Sequence, residues 1–311
     1  MIAIAVLLAA GWVRMPFEQR LTEGFRREGL LSEPLEIGLR ERIGQNSSVV
    51  ALAGLRSLVA TFAHLRATES FSKQEWGKVG DSMETAVQLA PRDIFYWDMG
   101  SWHMAYNASS SALSDGDVSP LLAKAESKRW VVKGREFLER GIRNNPDDWR
   151  LYATLGRLLS DANRMPDPAA AEEAYAKAIV LGNAPPSLER RRLYAEASAG
   201  KDPARTLENV RRILMEPGSR TPTMLSILYS LEYQNSPPDD PLDLALAVFG
   251  TEEKALRNLG DYYVDVRESY PITGVAAGIR RLEGRKGISP DDEASYIWQR
   301  KHYLEFLGLS R

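Results

Sequence analysis

The feature that most restricts the fold is a two-helix pattern between Tyr152 and Pro185. Tyr152, Leu155, Gly156 and Leu159 fall at three- and four-residue steps, and so do Ala171, Tyr175 and Ala178. Such steps put each set on one face of a helix. A glycine in the first helix and alanines in the second predict two helices that approach closely. Pro185 then ends the second helix and turns the chain. The large residues of such a pair fill the space between it and its neighbours, so one pair calls for others.

The rest of the chain supplies them. Upstream, Ala67, Met83, Ala86 and Pro91 fit the same pattern. The next copy opens at Trp97 and closes with Gly134, Leu138, Gly141 and Pro146; "ASSSALSDGDVSP" (Ala108–Pro120) splits its two helices. A later copy holds Leu256, Leu259, Gly260 and Tyr263, with Ala277 in the helix that follows. Between Ser187 and Leu231 the helical period persists while the signature fades. A helix pair of roughly 34 residues with these small and aromatic positions is the tetratricopeptide pattern. No strand-like alternation competes with it. The expected fold is therefore all-α: a right-handed α-solenoid of tetratricopeptide-like repeats with an N-terminal apolar helix.

Boundaries follow from composition. Residues 1–14 form a membrane anchor or apolar helix, 15–46 a juxtamembrane linker or helix, 47–233 the repeats, and 242–311 further repeat-like helices. Between the last two lies "QNSPPDDP" (Gln234–Pro241), rich in prolines and acids that do not sustain a helix. Tyr296 to Leu307 reads as a terminal capping helix, which a solenoid needs for a polar outer face. The run "IAIAVLLAAGWV" (Ile2–Val13) is the one membrane signal. Its twelve residues give a helix of roughly 18 Å, short of the ~30 Å hydrocarbon core. An anchor with further residues upstream, a buried helix, and a signal-peptide core are the three readings, in that order of preference. Trp12 suits the interface, and Arg14, Arg20, Arg26 and Arg27 favour a body on the cytoplasmic side, a bias that residues further upstream could override.

Charge and cysteine content exclude whole classes. Forty basic residues against forty-two acidic ones leave a formal net charge of −2, without the basic surface a nucleic-acid binder needs. The absence of cysteine removes disulfides, thiolate metal sites and cysteine nucleophiles. No Walker loop, G-x-G-x-x-G or H-E-x-x-H occurs. The three histidines, His64, His103 and His302, fall in separate helices, and no serine or carboxylate sits in a nucleophile or base motif. In "DGD", Asp115, Asp117, Ser119 and Glu126 fall at calcium-loop positions, but Pro120 stands where the turn needs glycine; a polar loop is the stronger reading. "ERRR" (Glu189–Arg192) reads as a solvated helix face.

Two segments, "ALAGLRSLVA" (Ala51–Ala60) and "WDMGSWHMAYNAS" (Trp97–Ser109), resemble those of bacterial membrane-anchored tetratricopeptide-repeat proteins. The resemblance runs from about Leu30 to about Gly182, and His103 stands where that group has asparagine. It implies a membrane-tethered repeat protein and brings no activity with it.

The aromatic stretch "FYWDMGSWHMAYNASS" is the richest in candidate contacts. In repeats of this type the second, fifth, ninth and twelfth positions of the first helix line a concave groove. These are Phe95, Asp98, Trp102 and Ala105, with Tyr106 beside them. The same register adds Thr61, His64 and Thr68 from the copy before and Arg150, Ala153 and Arg157 from the copy after. Trp97, Ser101 and Met104 turn into the helix seam, and His103 and Asn107 form a third stripe. Aromatic area beside arginine forks suits an acidic or C-terminal peptide segment. The alternative for the aromatics is structural packing; for Arg150 and Arg157 it is solvation of an exposed face. The expected function is thus a noncatalytic scaffold or adaptor that holds a protein or peptide partner, with no cofactor, metal, nucleic acid or small-molecule substrate. A structural subunit of a bacterial membrane or envelope assembly is the alternative. An enzyme acting through Asp98 and His103 is the third reading.

Overall fold

The computed structural model describes residues 55–265 and 269–306. The apolar N-terminal helix and linker expected over 1–46 lie outside these residues. Among the described residues the regular structure is helical throughout, with no strand. No helix among them is long and apolar enough to cross a membrane. The chain divides into two compact units, Met1–Leu155 and Gly156–Arg311.

The first unit opens with α1 (Arg56–Ser72) and α2 (Trp76–Leu89), packed on each other. Then comes α3 (Ile94–Trp102), which continues through a π-helical turn (His103–Ala108) into α4 (Ser109–Leu113). The long α5 (Pro120–Asn144) packs along all three, and α6 (Trp149–Ser160) begins at the unit's end. The core is built from the expected small and large positions: Ala67, Met83, Ala86, Trp97 and Leu138 are all buried in it. Small residues set the helix spacing. A Cβ on Gly141 would lie 2.8 Å from Cγ of Trp97, so only glycine lets α5 sit against that indole.

The turns between helix pairs repeat a small device. After Ala90 and after Asn145 comes Pro-x-Asp, and each aspartate N–H donates back across the turn, to Ala90 O at 3.1 Å and to Asn145 O at 3.2 Å. Each aspartate then accepts a backbone N–H from the start of the next helix, Asp93 from Phe95 at 3.0 Å and Asp148 from Arg150 at 2.9 Å. The carbonyl of Pro91 accepts both the Trp97 indole N–H and the Asn145 amide, each at 2.9 Å. One turn is thereby stitched to the other.

The segment expected as an insertion departs from its reading. Helix continues through Ala108 to Leu113, and only residues 114–119 are irregular. Pro120 does not end a loop passively; it opens α5 behind the N-cap Ser119, whose hydroxyl accepts the Leu122 N–H. A proline at the first helical position forfeits no intrahelical bond.

The second unit uses the same start four more times: Asp167–Pro168, Asp202–Pro203, Thr221–Pro222 and Asp240–Pro241 open α7 (Pro168–Val180), α9 (Pro203–Ile213), α10 (Pro222–Asn235) and α11 (Pro241–Phe249). Between the first two lies α8 (Ser187–Ala199); α12 (Glu252–Asp265), α13 (Val275–Arg285) and α14 (Tyr296–Phe306) complete the order. Helices touch near neighbours in sequence, including next-but-one pairs such as α10 with α12, α11 with α13 and α12 with α14. One core, with Leu193, Ile227, Ala245, Leu259 and Ile279, runs on both sides of the link 236–240. Gly156 lies against the Tyr175 ring: a Cβ there would come within 2.8 Å of it.

Arg192 corrects the reading of "ERRR" as a solvated face. Its side chain is mostly buried and donates to Glu172, Glu189 and Glu196, at 2.8, 2.9 and 3.0 Å. Burial works to lower its pKa, but the hydrogen bonds it donates to Glu189 and Glu172 outweigh that and raise it above the ordinary arginine value. The reason is helical splay: each residue turns about 100° from the last, so one of three consecutive arginines faces inward. Glu196, also buried, accepts further from Arg205 and Asn209 of α9, which ties α8 to α9.

The close approach at Gly141 yields a direct test. Gly141→Val should destabilise the chain by about 1–3 kcal/mol, because the indole has nowhere to move. Gly116→Val, at a glycine with open space around it, should cost about 0.5 kcal/mol or less. Thermal melts of the two variants against the parent measure the difference.

Candidate functional site

The candidate face is built from α1, α3 and the π turn of the first unit. Phe95 and Trp102 are held on a helix whose other side is locked: Tyr96, Trp97, Gly100 and Ser101 are buried. Two large aromatic side chains nevertheless remain outside, Phe95 at 47% exposure and Trp102 at 37%. An exposed leucine is commonplace, but exposed aromatics on an otherwise buried helix are informative.

Several of the expected residues do meet. His64 of α1 lies edge-on to Phe95, ring centroids 5.1 Å apart, and 6.0 Å from the ring of Tyr96. Thr61 shares a hydrogen bond of 3.4 Å with the Tyr96 hydroxyl while donating to its own turn at Ser57. Trp102 and Tyr106 stack at 4.2 Å and 19°. Asp98 accepts the Thr154 hydroxyl at 2.9 Å, which joins α3 to the middle of α6. Ala105, placed by register at the twelfth groove position, is instead buried against α5.

Other residues are turned to local partners. Thr68 donates back to the His64 carbonyl at 3.2 Å. Arg150 forks onto Asp148, two residues before it, at 2.6 and 3.0 Å. Burial works to raise the Asp148 carboxyl pKa, but the hydrogen bonds and charge of Arg150 outweigh it and hold the group below the ordinary carboxylate range. Both branches of this guanidinium are thus engaged within the chain. Arg157 is exposed in the last turn of α6 and belongs to the second unit.

The π turn has no counterpart in the sequence reading. It widens the helix by one residue where Gly134 of α5 comes closest: a Cβ there would lie 2.7 Å from the Ala105 nitrogen. Ser109, fully buried, donates its hydroxyl to the Ala105 carbonyl at 2.6 Å and so serves a backbone group in the altered ladder. His103 sits at the start of this turn. Its Nδ1 shares a 3.1 Å hydrogen bond with the Asn107 amide, and its ring tilts against Phe71 of α1 at 5.1 Å.

Tyr96, Phe71 and Thr154 are thus members of the site that register alone did not assign. The sequence pattern gives Tyr96 and Phe71 no place, and nothing in it pairs Thr154 with Asp98. The calcium reading of "DGD" finds other employment for its residues: Asp115 accepts the Asp117 N–H at 2.9 Å, and Glu126 lies on α5 bound to Arg129 at 2.9 Å. Among the described residues no group of three or more acids and histidines is placed to hold a metal ion.

Compared with protein-family models, the chain matches none, and no curated protein matches it.

Burial first, then the nearby His64 charge, lowers the pKa of His103 below the ordinary imidazole value of 6.5. As pH falls through that value the unfolded chain takes up this proton before the folded one does, so stability is intact above it and declines below. Urea melts between about pH 7 and pH 5 should show the decline, and His103→Gln should flatten it. An identical pH slope in the variant would show that the imidazole is as solvated as in the unfolded chain.

Proposed function

We propose that this chain is a noncatalytic interaction scaffold, tethered to a bacterial membrane by its N-terminal segment. Its helices build a right-handed superhelix of tetratricopeptide-like repeats, and the concave side holds a segment of a partner protein. The observation that carries this reading is the exposure of Phe95 and Trp102 on a helix whose opposite face is locked into the core. Side chains of that size, held rigid, lose little entropy on binding and are the residue types that dominate interface energies. Succession of helix pairs along the chain, with matching Pro-x-Asp turns between them, supports the repeat reading.

The partner segment is expected to be apolar or aromatic where it meets Phe95, His64 and Trp102. It carries a carboxylate where it reaches Arg150, whose fork it shares with Asp148. No cofactor is required for this work. Asp98 and His103 have positional duties in the same face, Asp98 holding Thr154 and His103 holding Asn107.

Capture from membranes by the tagged full-length protein tests the proposal. Phe95→Ala combined with Trp102→Ala should reduce recovery of the partner tenfold or more, the scale expected when two central aromatics are lost. Leu121→Ala, a change at an exposed position in the first turn of α5, should leave recovery unchanged. Equal recovery by all three proteins would remove the groove from consideration.

A further inference from the structure

The helix α1 has two apolar faces, and only one of them is buried. Ala60 and Ala67 are covered in the core of the first unit. On the opposite side Leu55, Leu58, Phe62 and Leu65 are exposed, at 40%, 49%, 61% and 56%. Their spacing of three, four and three residues makes them one continuous stripe. Four large apolar side chains in a row on one helix face form a contiguous patch of the kind that marks an interaction site. The face is distinct from Thr61, His64 and Thr68, so it is not part of the groove proposed above.

We propose that residues 30–39 of this same chain, "LLSEPLEIGL", are the occupant of the stripe. Three observations point to them. The chain preceding α1 enters at Leu55, the first member of the stripe, so its effective concentration there is in the millimolar range, far above any free partner. The 15 residues 40–54 reach up to roughly 50 Å, and the stripe itself rises only ~15 Å, so the segment can return along it. Finally, the composition fits. Leu30, Leu31, Leu35, Ile37 and Leu39 supply apolar area, while Glu33 and Glu36 complement Arg66, which lies one turn beyond Phe62 on the same side. The run Ile2–Val13, by contrast, carries no charge to answer Arg66.

The chain has no cysteine, so introduced pairs can be read without background. Phe62→Cys, at the most exposed position of the stripe, is combined in turn with Leu31→Cys, Leu35→Cys, Ile37→Cys or Leu39→Cys in the full-length protein and treated with a short bismaleimide. The expected result is an intramolecular cross-link for at least one pair, seen by intact mass and by a shifted monomer band. A covalent dimer as the only product would give the stripe to a second copy and overturn the proposal. So would the absence of any cross-link in all four pairs. As an independent reading, Leu35→Asp with Ile37→Asp should speed amide hydrogen exchange in α1 by tenfold or more; unchanged exchange contradicts the proposal. Neither result depends on partner capture by Phe95 and Trp102, so the two proposals fail separately.

Discussion

The contact on which the first unit depends is the Trp97 indole against the bare backbone of Gly141. It brings α5 close enough to α3 for the Phe137 and Trp97 rings to meet at 4.9 Å, and it leaves the indole N–H aimed at the Pro91 carbonyl. That carbonyl also takes the Asn145 amide, so the packing of two helices and the geometry of two turns are fixed by one cluster. Interiors packed at crystal-like density do not absorb an added methyl group there. The spacing of the helix pair then decides which residues of α3 face outward.

Seen from this cluster, the aromatic density of the α3 region has two separate causes. Tyr96, Trp97 and Met104 fill the space inside the unit. Phe95 and Trp102 fill none of it and stay exposed on the other side. The π turn sits between these roles: it relieves the crowding where Gly134 meets Ala105, and Ser109 repairs the ladder it disturbs. Altered helical turns often accompany functional sites, and this one carries His103 and Tyr106, both of which reach the candidate face or its edge.

Much of the helical architecture was legible in the sequence, because glycine or alanine at a contact position and a large residue opposite it is a local signature. Gly141 and Gly156 could be read as positions of that pattern, but not that the Trp97 and Tyr175 rings lie on them. Prolines were only half legible. Pro91 and Pro146 do mark turns after a helix, but Pro120, Pro168 and Pro241 open helices behind a Ser or Asp cap, and the cap two letters wide is the better signal. The continuation of helix to Leu113 was hidden by serine content, since "SSSAL" has no apolar period to announce it. Of the candidate face, the register grouped Asp98, Trp102 and Tyr106, and two of these, Trp102 and Tyr106, stack on each other. It did not foresee Tyr96 reaching Thr61 across from α1, nor Arg150 folding back on Asp148. Both are tertiary or competing local contacts that no single-helix period encodes.

The central claim is that close packing at Gly141 holds α3 in the orientation that presents Phe95 and Trp102. The most direct measurement is hydrogen exchange at the Trp97 indole N–H, followed by nuclear magnetic resonance in tryptophan-labelled full-length protein and assigned with Trp97→Phe. The account predicts slow exchange in the parent protein, from burial and the bond to Pro91, and much faster exchange in Gly141→Val. An indole that exchanges as quickly as free tryptophan, or one that Gly141→Val leaves equally protected, would contradict it.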